Sequence, residues 1–144
     1  LSQNMTLKGT SFENSSGDGF TAANTQVIVG TNYDSTYDNV SVSSLKRIIT
    51  GTGDDTFKNG YGTAVYGGGN DSVDGNGVIY LPGTIDLGDL SVSETVTSSG
   101  SGWEIVDITV NVGTYGSITY QNIEKTYDTR FSNNQMFLKL AVNF

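Results

Sequence analysis

The sequence contains no cysteine and no histidine, and it has a single proline in 144 residues. Without thiolate and imidazole groups the usual zinc sites are excluded, and so is catalysis by Ser-His-Asp or Cys-His groups. Basic residues are few, because 7 lysines and arginines stand against 15 aspartates and glutamates, for a net charge of −8. We expect no nucleic-acid partner, since phosphate binding requires a basic surface. An acidic chain of this kind suits hard cations that take oxygen ligands.

Long hydrophobic runs are also absent. No stretch approaches the roughly 18 apolar residues of a membrane span, and no signal peptide is recognisable. The chain begins at Leu1 rather than at a methionine, so we expect it to be part of a longer, multidomain protein. The lack of cysteine suits a secreted bacterial protein that does not depend on disulfides.

Glycine, serine, threonine, asparagine and tyrosine are plentiful, whereas apolar residues make up only 35% of the chain. This balance, with β-branched residues throughout, favours an all-β fold of strands joined by tight turns. Three segments also resemble one another: "TLKGTSFEN", "VIVGTNYDS" and "IITGTGDDT". Each has a β-type run, a Gly-Thr pair and then an acid. The glycines are Gly9, Gly30 and Gly51, and the acids are Glu13, Asp34 and Asp55, with the same constant interval in both sets.

A period of about 21 residues is close to one coil of a parallel β-solenoid. The sequence therefore predicts one domain over residues 1–144, with the coils of a right-handed parallel β-solenoid or β-roll over residues 6–87. Leu7, Ile28 and Ile49 would form one ladder of its core. A β-sandwich is the alternative architecture.

Residues 88–144 have a different pattern. "SVSETVTSSGSGWEIVDITVNVGTYGSITY" alternates apolar and polar residues around glycine turns, which predicts antiparallel hairpins. Trp103, Ile105, Ile108 and Val110 are expected to be core or half-buried residues of these strands. The last stretch, "NQMFLKLAVNF", is interpreted as a short strand or cap, so that antiparallel strands cover the C-terminal end of the solenoid.

Within the segment "ITGTGDDTFKNGYGTAVYGGGNDSVDGNG", residues 50–73 resemble the glycine-rich nonapeptide of the RTX (repeats-in-toxin) family, which reads Gly-Gly-x-Gly-x-Asp-x-apolar-x. "TGTGDDTFK" matches with Thr50 in place of the first glycine, and "NGYGTAVYG" carries Ala64 in place of the aspartate. "GGGNDSVD" restores the pattern one residue short. The matching positions are Gly51, Gly53, Asp55, Phe57, Gly60, Gly62, Tyr66, Gly67, Gly68, Gly69, Asp71 and Val73.

The resemblance implies a calcium-bound parallel β-roll in which the first and third repeats stack on one side. Asp55 and Asp71 would then share one Ca²⁺, and Ala64 would lie in the opposite turn without a carboxylate. The further ligands would be backbone carbonyls of the glycine turns: Gly51, Gly53, Gly67 and Gly69. Glycines permit such turns, and Ca²⁺ takes about six to eight oxygen ligands. Phe57, Tyr66 and Val73 would pack inward. The alternative is that the Gly-Asp turns are only tight turns that bind no metal.

Two classes of function fit these observations. The first is a non-catalytic, calcium-stabilised module of a larger secreted or cell-surface protein, supporting folding, secretion or attachment; the resemblance implies type I secretion of a bacterial protein. The second is a polysaccharide-binding solenoid module of a carbohydrate-active enzyme, with tyrosines and Trp103 as stacking surfaces. We expect no enzymatic activity, because Asp54 and Asp55 are the only adjacent acid pair in this region and neighbouring side chains point apart.

Overall fold

The computed structural model describes residues 4–8, 11–14, 16, 19–59, 63–74, 78–127, 136–138 and 142–143. The described residues form β-strands and two single-turn 3-10 helices, so the prediction of an all-β fold is confirmed. No helix in this part of the chain has the length and apolar character needed to cross a membrane. The strands are β1 (Thr6–Lys8), β2 (Ser11–Glu13), β3 (Gly19–Thr21), β4 (Val27–Val29), β5 (Thr36–Asp38), β6 (Arg47–Ile49), β7 (Thr56–Lys58), β8 (Thr63–Val65), β9 (Gly69–Asp74), β10 (Val78–Tyr80), β11 (Leu90–Gly100), β12 (Trp103–Val112), β13 (Gly116–Tyr127), β14 (Met136–Leu138) and β15 (Val142–Asn143).

The chain passes alternately between two sheets from β4 to β10. The smaller sheet has the order β15-β10-β8-β6-β4, and all its described pairs are parallel. The larger sheet has a parallel centre made of β1, β5, β7, β9 and β13. Strands β2 and β3 extend it antiparallel at one end, and β12 and β11 do so at the other. Parallel pairing within the predicted solenoid region is thus present in both sheets.

The predicted core ladder of Leu7, Ile28 and Ile49 is wrong. Leu7 lies in the larger sheet in register with Tyr37, whereas Ile28 lies in the smaller sheet in register with Ile48. The inward column of the larger sheet contains Leu7, Tyr37, Phe57, Val73 and Tyr120. That of the smaller sheet contains Ile28, Ile48, Ala64 and Ile79. The interval between successive partners in this second column shortens from coil to coil, so the constant interval of the Gly-Thr pairs is not the structural period.

The first of the three similar segments is not a coil. Strands β1 and β2 flank the Gly9-Thr10 pair and are antiparallel to each other, which makes this segment a hairpin. Gly9 itself lies outside the described residues, as do Gly60 and Gly62 of the nonapeptide match. Strands with parallel partners on both sides therefore start at β5 in the larger sheet and at β6 in the smaller sheet.

The core lies between the two sheets. Phe57, Tyr66 and Val73 are all buried at 2% exposure, which confirms their predicted packing role. Tyr37 stacks on Phe57 with ring centroids 4.7 Å apart. Ala64, however, is not in a turn: it is the buried central residue of β8, between Ile48 and Ile79.

Strands β11, β12 and β13 form the predicted antiparallel hairpins. Ile108 and Val110 are buried and Ile105 is half-buried, as expected. Trp103 differs, because it is 38% exposed and its indole lies over Gly100, its partner across the hairpin. The C-terminal stretch supplies β14 beside β13 and β15 beside β10, so late strands continue both sheets.

Candidate metal centre

Two glycine-rich turns, residues 51–53 and 67–69, stack directly on one another where the chain enters β7 and β9 of the larger sheet. A Cβ added to Gly69 would lie 2.0 Å from the Gly53 carbonyl oxygen, and one added to Gly67 would lie 2.7 Å from the Gly51 nitrogen and oxygen. Gly51 and Gly69 also have positive φ angles, +80° and +79°, which L side chains rarely adopt. The four predicted glycine positions are therefore brought together in pairs, and this close backbone approach is what glycine makes possible.

Each turn is followed by an aspartate that points inward. The Ser35 N–H donates a hydrogen bond of 2.8 Å to Asp55 Oδ1, and the Asp55 N–H donates one of 2.9 Å to Asp71 Oδ1. The side chains of Asp55 and Asp71 are 1% and 2% exposed. Ser35, Asp55 and Asp71 thus form an inner column that crosses three successive coils, and the structure places the two predicted carboxylates in adjacent coils of it.

A second column runs beside the first on the solvent side. The Asp54 N–H donates to Asp34 Oδ1 at 2.8 Å, and the Asn70 N–H donates to Asp54 Oδ1 at 2.7 Å. The acid pair at positions 54 and 55 therefore points in opposite directions, as expected for neighbours. Asp34, predicted as the equivalent of Asp55, belongs instead to this outer column and is exposed.

Glu13 was predicted to hold the same coil position as Asp34 and Asp55. It lies on β2, opposite Thr6 of β1 and Gly19 of β3, and its side chain is exposed. Because β2 belongs to an antiparallel hairpin rather than to a coil, Glu13 is not part of the inner column.

The inner column leaves oxygen atoms without hydrogen-bond partners. Asp55 Oδ2, Asp71 Oδ2, Ser35 Oγ and the Tyr37 hydroxyl are all buried, and none has a partner in the described residues. A buried polar group without a partner costs roughly 1–3 kcal/mol, and a charged one costs more. Buried polar atoms of this kind ordinarily have a protein, water or ion partner.

Burial sets the protonation of the two carboxyls. It raises the pKa of Asp55 to about 7, against hydrogen bonding from the Ser35 N–H, and Asp34 and Asp54 add to the rise. It raises the pKa of Asp71 to about 8, with the negative charge of Asp55 adding to the effect. In the metal-free protein both carboxyls are therefore shifted toward the neutral form near pH 7, because desolvation disfavours the charged form.

Two hydroxyl groups that the sequence analysis did not single out also border this site. The buried Thr50 Oγ1 accepts a hydrogen bond of 2.9 Å from the Gly67 N–H, and the nearby Thr50 hydroxyl partly offsets the rise in the pKa of Asp71. The Tyr37 phenol lies close enough to Asp55 and Asp71 for their charges to raise its pKa further, after the larger effect of burial.

Thr50 could have been found from the sequence, whereas Tyr37 is recognised only once the register of the coils is known. Tyr37 precedes Phe57 by the same interval that separates Ser35 from Asp55, and this interval is the true register of the sheet between β5 and β7. Thr50 stands where the nonapeptide has glycine, and a threonine there carries a hydroxyl that a glycine lacks.

The oxygen atoms fit a hard cation, but only two carboxylates are available. Among the described residues, no group of three or more acidic, histidine or cysteine side chains could hold a metal. The remaining ligands of a Ca²⁺ would have to be carbonyl and hydroxyl oxygens, which this ion accepts. One of the predicted carbonyls is already engaged, since Gly69 O accepts a 2.7 Å hydrogen bond from the Tyr66 hydroxyl.

No family model, curated protein or solved structure matches this chain.

Proposed function

We propose that the chain is a non-catalytic, calcium-stabilised β-roll module of a larger secreted or cell-surface protein. The observation that carries this proposal is the pair of buried carboxylate oxygens, Asp55 Oδ2 and Asp71 Oδ2, that lack a hydrogen-bond partner in adjacent coils. A bound cation would neutralise both carboxylates where the protein supplies no positive charge.

Calcium suits this position better than other common metals. The described site offers oxygen donors only, and the chain has no cysteine or histidine to bind softer ions. Asp55 and Asp71 would hold the ion, and carbonyls of Gly51, Gly53 and Gly67 would supply further oxygens. Gly69 O would contribute only through the lone pair that its bond with the Tyr66 hydroxyl leaves free. Because its coordination geometry is flexible, Ca²⁺ tolerates such a mixture of carboxylate and backbone ligands, whereas Mg²⁺ demands a near-octahedral set.

The finer architecture follows the same proposal. The alternation of β4 to β10 between two sheets supports a β-roll, and we propose the right-handed form because parallel crossovers are right-handed in nearly all proteins. In such a roll each ion joins one coil to the next. Calcium would then couple folding of the module to the high calcium concentration outside the cell, and support its secretion or attachment.

A catalytic role for the two carboxylates is not favoured by their surroundings. Asp55 and Asp71 are closed off from solvent, so no polymeric substrate reaches them. Glycosidases instead place two carboxylates across an open groove with the sugar between them.

Thermal melting tests the proposal. In calcium at a hundredfold excess over the dissociation constant, the free energy of unfolding should rise by about 2.7 kcal/mol relative to chelator. Asp71→Asn should abolish most of this gain, since it keeps the side-chain shape and the Oδ1 acceptor but removes the charge. Asp54→Asn is the matched control, because this exposed neighbour accepts an equivalent hydrogen bond in the outer column. An equal response in wild type and Asp71→Asn, or none in wild type, would contradict calcium binding here.

A polysaccharide-binding module is the second candidate, favoured by one row of side chains. Thr36, Thr56, Ser72 and Thr119 are in register on the outward face of the larger sheet. Such a row of hydroxyls on consecutive strands is able to hydrogen-bond an extended glycan. Among the described residues, the exposed tyrosines do not form a common surface, since Tyr33, Tyr80 and Tyr115 lie on separate elements. Retention on polysaccharide affinity gels that a Thr56→Val variant loses would support this candidate.

A further inference from the structure

The edge of the larger sheet formed by β11 points to a self-association surface. We propose that β11 pairs antiparallel with β11 of a second copy of this chain, which joins two larger sheets into one continuous sheet. This inference does not rest on the calcium site.

The backbone of β11 has one open side. Strand β11 is the last strand in the order of its sheet, and among the described strands it pairs with β12 alone. It has 11 residues, compared with 3 in β3 at the opposite end of the same sheet. An edge strand presents a row of unpaired N–H and C=O groups that can pair with another strand.

Among the usual protections of an edge strand, β11 has one β-bulge and one charge, Glu94, which lies on the same face as Val92 and Val96. The sequence of β11, "LSVSETVTSSG", contains no proline and no lysine. Its single register shift lies between Val96 and Ser98, which leaves residues 90–96 regular. Its one charge, Glu94, is held by Lys125 with both carboxylate oxygens 2.9 Å from Nζ. This ion pair reduces the repulsion that the −8 charge of each chain would otherwise produce at this edge.

The apolar face of the sheet also ends abruptly at β11. Val92 is opposite Val110 and Val96 is opposite Val106. The two residues of β12 are buried at 3% and 0% exposure, whereas Val92 and Val96 are 65% and 48% exposed. A further strand beside β11 would cover part of these two valines and remove that part from water.

A second copy satisfies these requirements through twofold symmetry. In a twofold-symmetric dimer the same strand of both copies lies at the interface, and the two strands run in opposite directions, so they pair antiparallel. With the axis at Ser93, Glu94 of one copy would lie opposite Val92 of the partner subunit, so the two acids do not face each other directly. Small hydroxyl side chains would meet at the axis.

Sedimentation over a concentration series, combined with amide hydrogen exchange, tests this pairing. The wild type should show a monomer–dimer equilibrium, and amides of β11 should become more protected as dimer forms. Val96→Lys should weaken the dimer at least tenfold, because lysine on an edge strand opposes pairing. Val29→Lys is the matched control: it adds the same charge at a valine that is 53% exposed on the other sheet, and it should leave the dimer unchanged.

The remaining outcomes overturn the proposal. A protein that stays monomeric at millimolar concentration has no such surface. A dimer that tolerates Val96→Lys, or one that Val29→Lys dissociates, uses a different surface. Circular dichroism of each variant establishes that it is folded before its association is compared.

Discussion

Without calcium, the free energy of unfolding of this protein should fall as the pH rises. This is the reverse of the usual behaviour of an aspartate whose pKa is lowered by a hydrogen bond or an ion pair. Burial raises the pKa of Asp55 to about 7 and that of Asp71 to about 8 in the folded chain, whereas an aspartate in an unfolded chain titrates at about 3.9. The folded state therefore binds more protons than the unfolded state between these values. The stability that the protonated carboxyls contribute is fully present below about pH 4 and is lost as the pH rises through about 7 to 8.

The slope of this loss follows from proton linkage. Each carboxyl that stays protonated only in the folded state contributes about 1.4 kcal/mol per pH unit, so two together contribute up to about 2.7 kcal/mol per unit near pH 5 to 6. Asp71→Asn should remove about half of this slope, because asparagine keeps the Oδ1 acceptor for the Asp55 N–H without a titrating proton. The variant should then be more stable than the wild type at pH 8 in chelator.

Urea denaturation at pH 4.5 to 8.5, with a chelator present, measures this slope. Asp54→Asn controls for the loss of one negative charge from an acidic chain, and it should leave the slope nearly unchanged because Asp54 is exposed. The reasoning fails if stability is flat or rises between pH 5 and 7. It fails equally if the two asparagine variants flatten the profile to the same extent.

Two further substitutions test the packing around the site. Thr50→Val should cost about 1 kcal/mol, because it removes the hydroxyl that accepts from the Gly67 N–H, whereas Thr50→Ser should be close to neutral; urea denaturation of both variants decides. Gly69→Ala should destabilise the protein by more than about 2 kcal/mol, since its Cβ would lie 2.0 Å from a backbone oxygen of the preceding coil. Gly102 has the same φ of +79°, but no atom lies within 4 Å of an added Cβ, so Gly102→Ala should show only the cost of the backbone conformation. Equal losses of stability in the two variants would refute the steric argument.

The fold class and the inward aspartates could be predicted from the sequence because they depend on local chemistry. Glycines that permit positive φ and close backbone contact mark the turns, and an apolar residue two positions after each aspartate marks the inward face of the strand. Asp55 with Phe57 and Asp71 with Val73 both follow this rule. The alternation of apolar and polar residues around glycine turns, which is also local, predicted the hairpins after residue 88.

The register of the coils could not be predicted, because it depends on long-range pairing. The interval between the Gly-Thr pairs is one residue longer than the interval that aligns Tyr37 with Phe57. Since side chains alternate between the two faces of a strand, an error of one residue exchanges inside and outside. The interval between the Gly-Thr pairs therefore assigned Asp34 to the position next to Asp55 that Ser35 holds. It likewise paired Ile28 with Ile49, whereas the partner of Ile28 is Ile48.

The central claim is that Asp55 and Asp71 bind Ca²⁺ together, and calcium titration calorimetry in two buffers of different ionisation enthalpy tests it most directly. Because both carboxyls must lose their protons to bind the ion, the wild type should release about one proton per Ca²⁺ at pH 7, and fewer as the pH rises to 9. Asp71→Asn should bind at least tenfold more weakly, whereas Asp54→Asn should behave as the wild type does. Calcium binding without proton release, or with the same affinity in Asp71→Asn, would contradict the account.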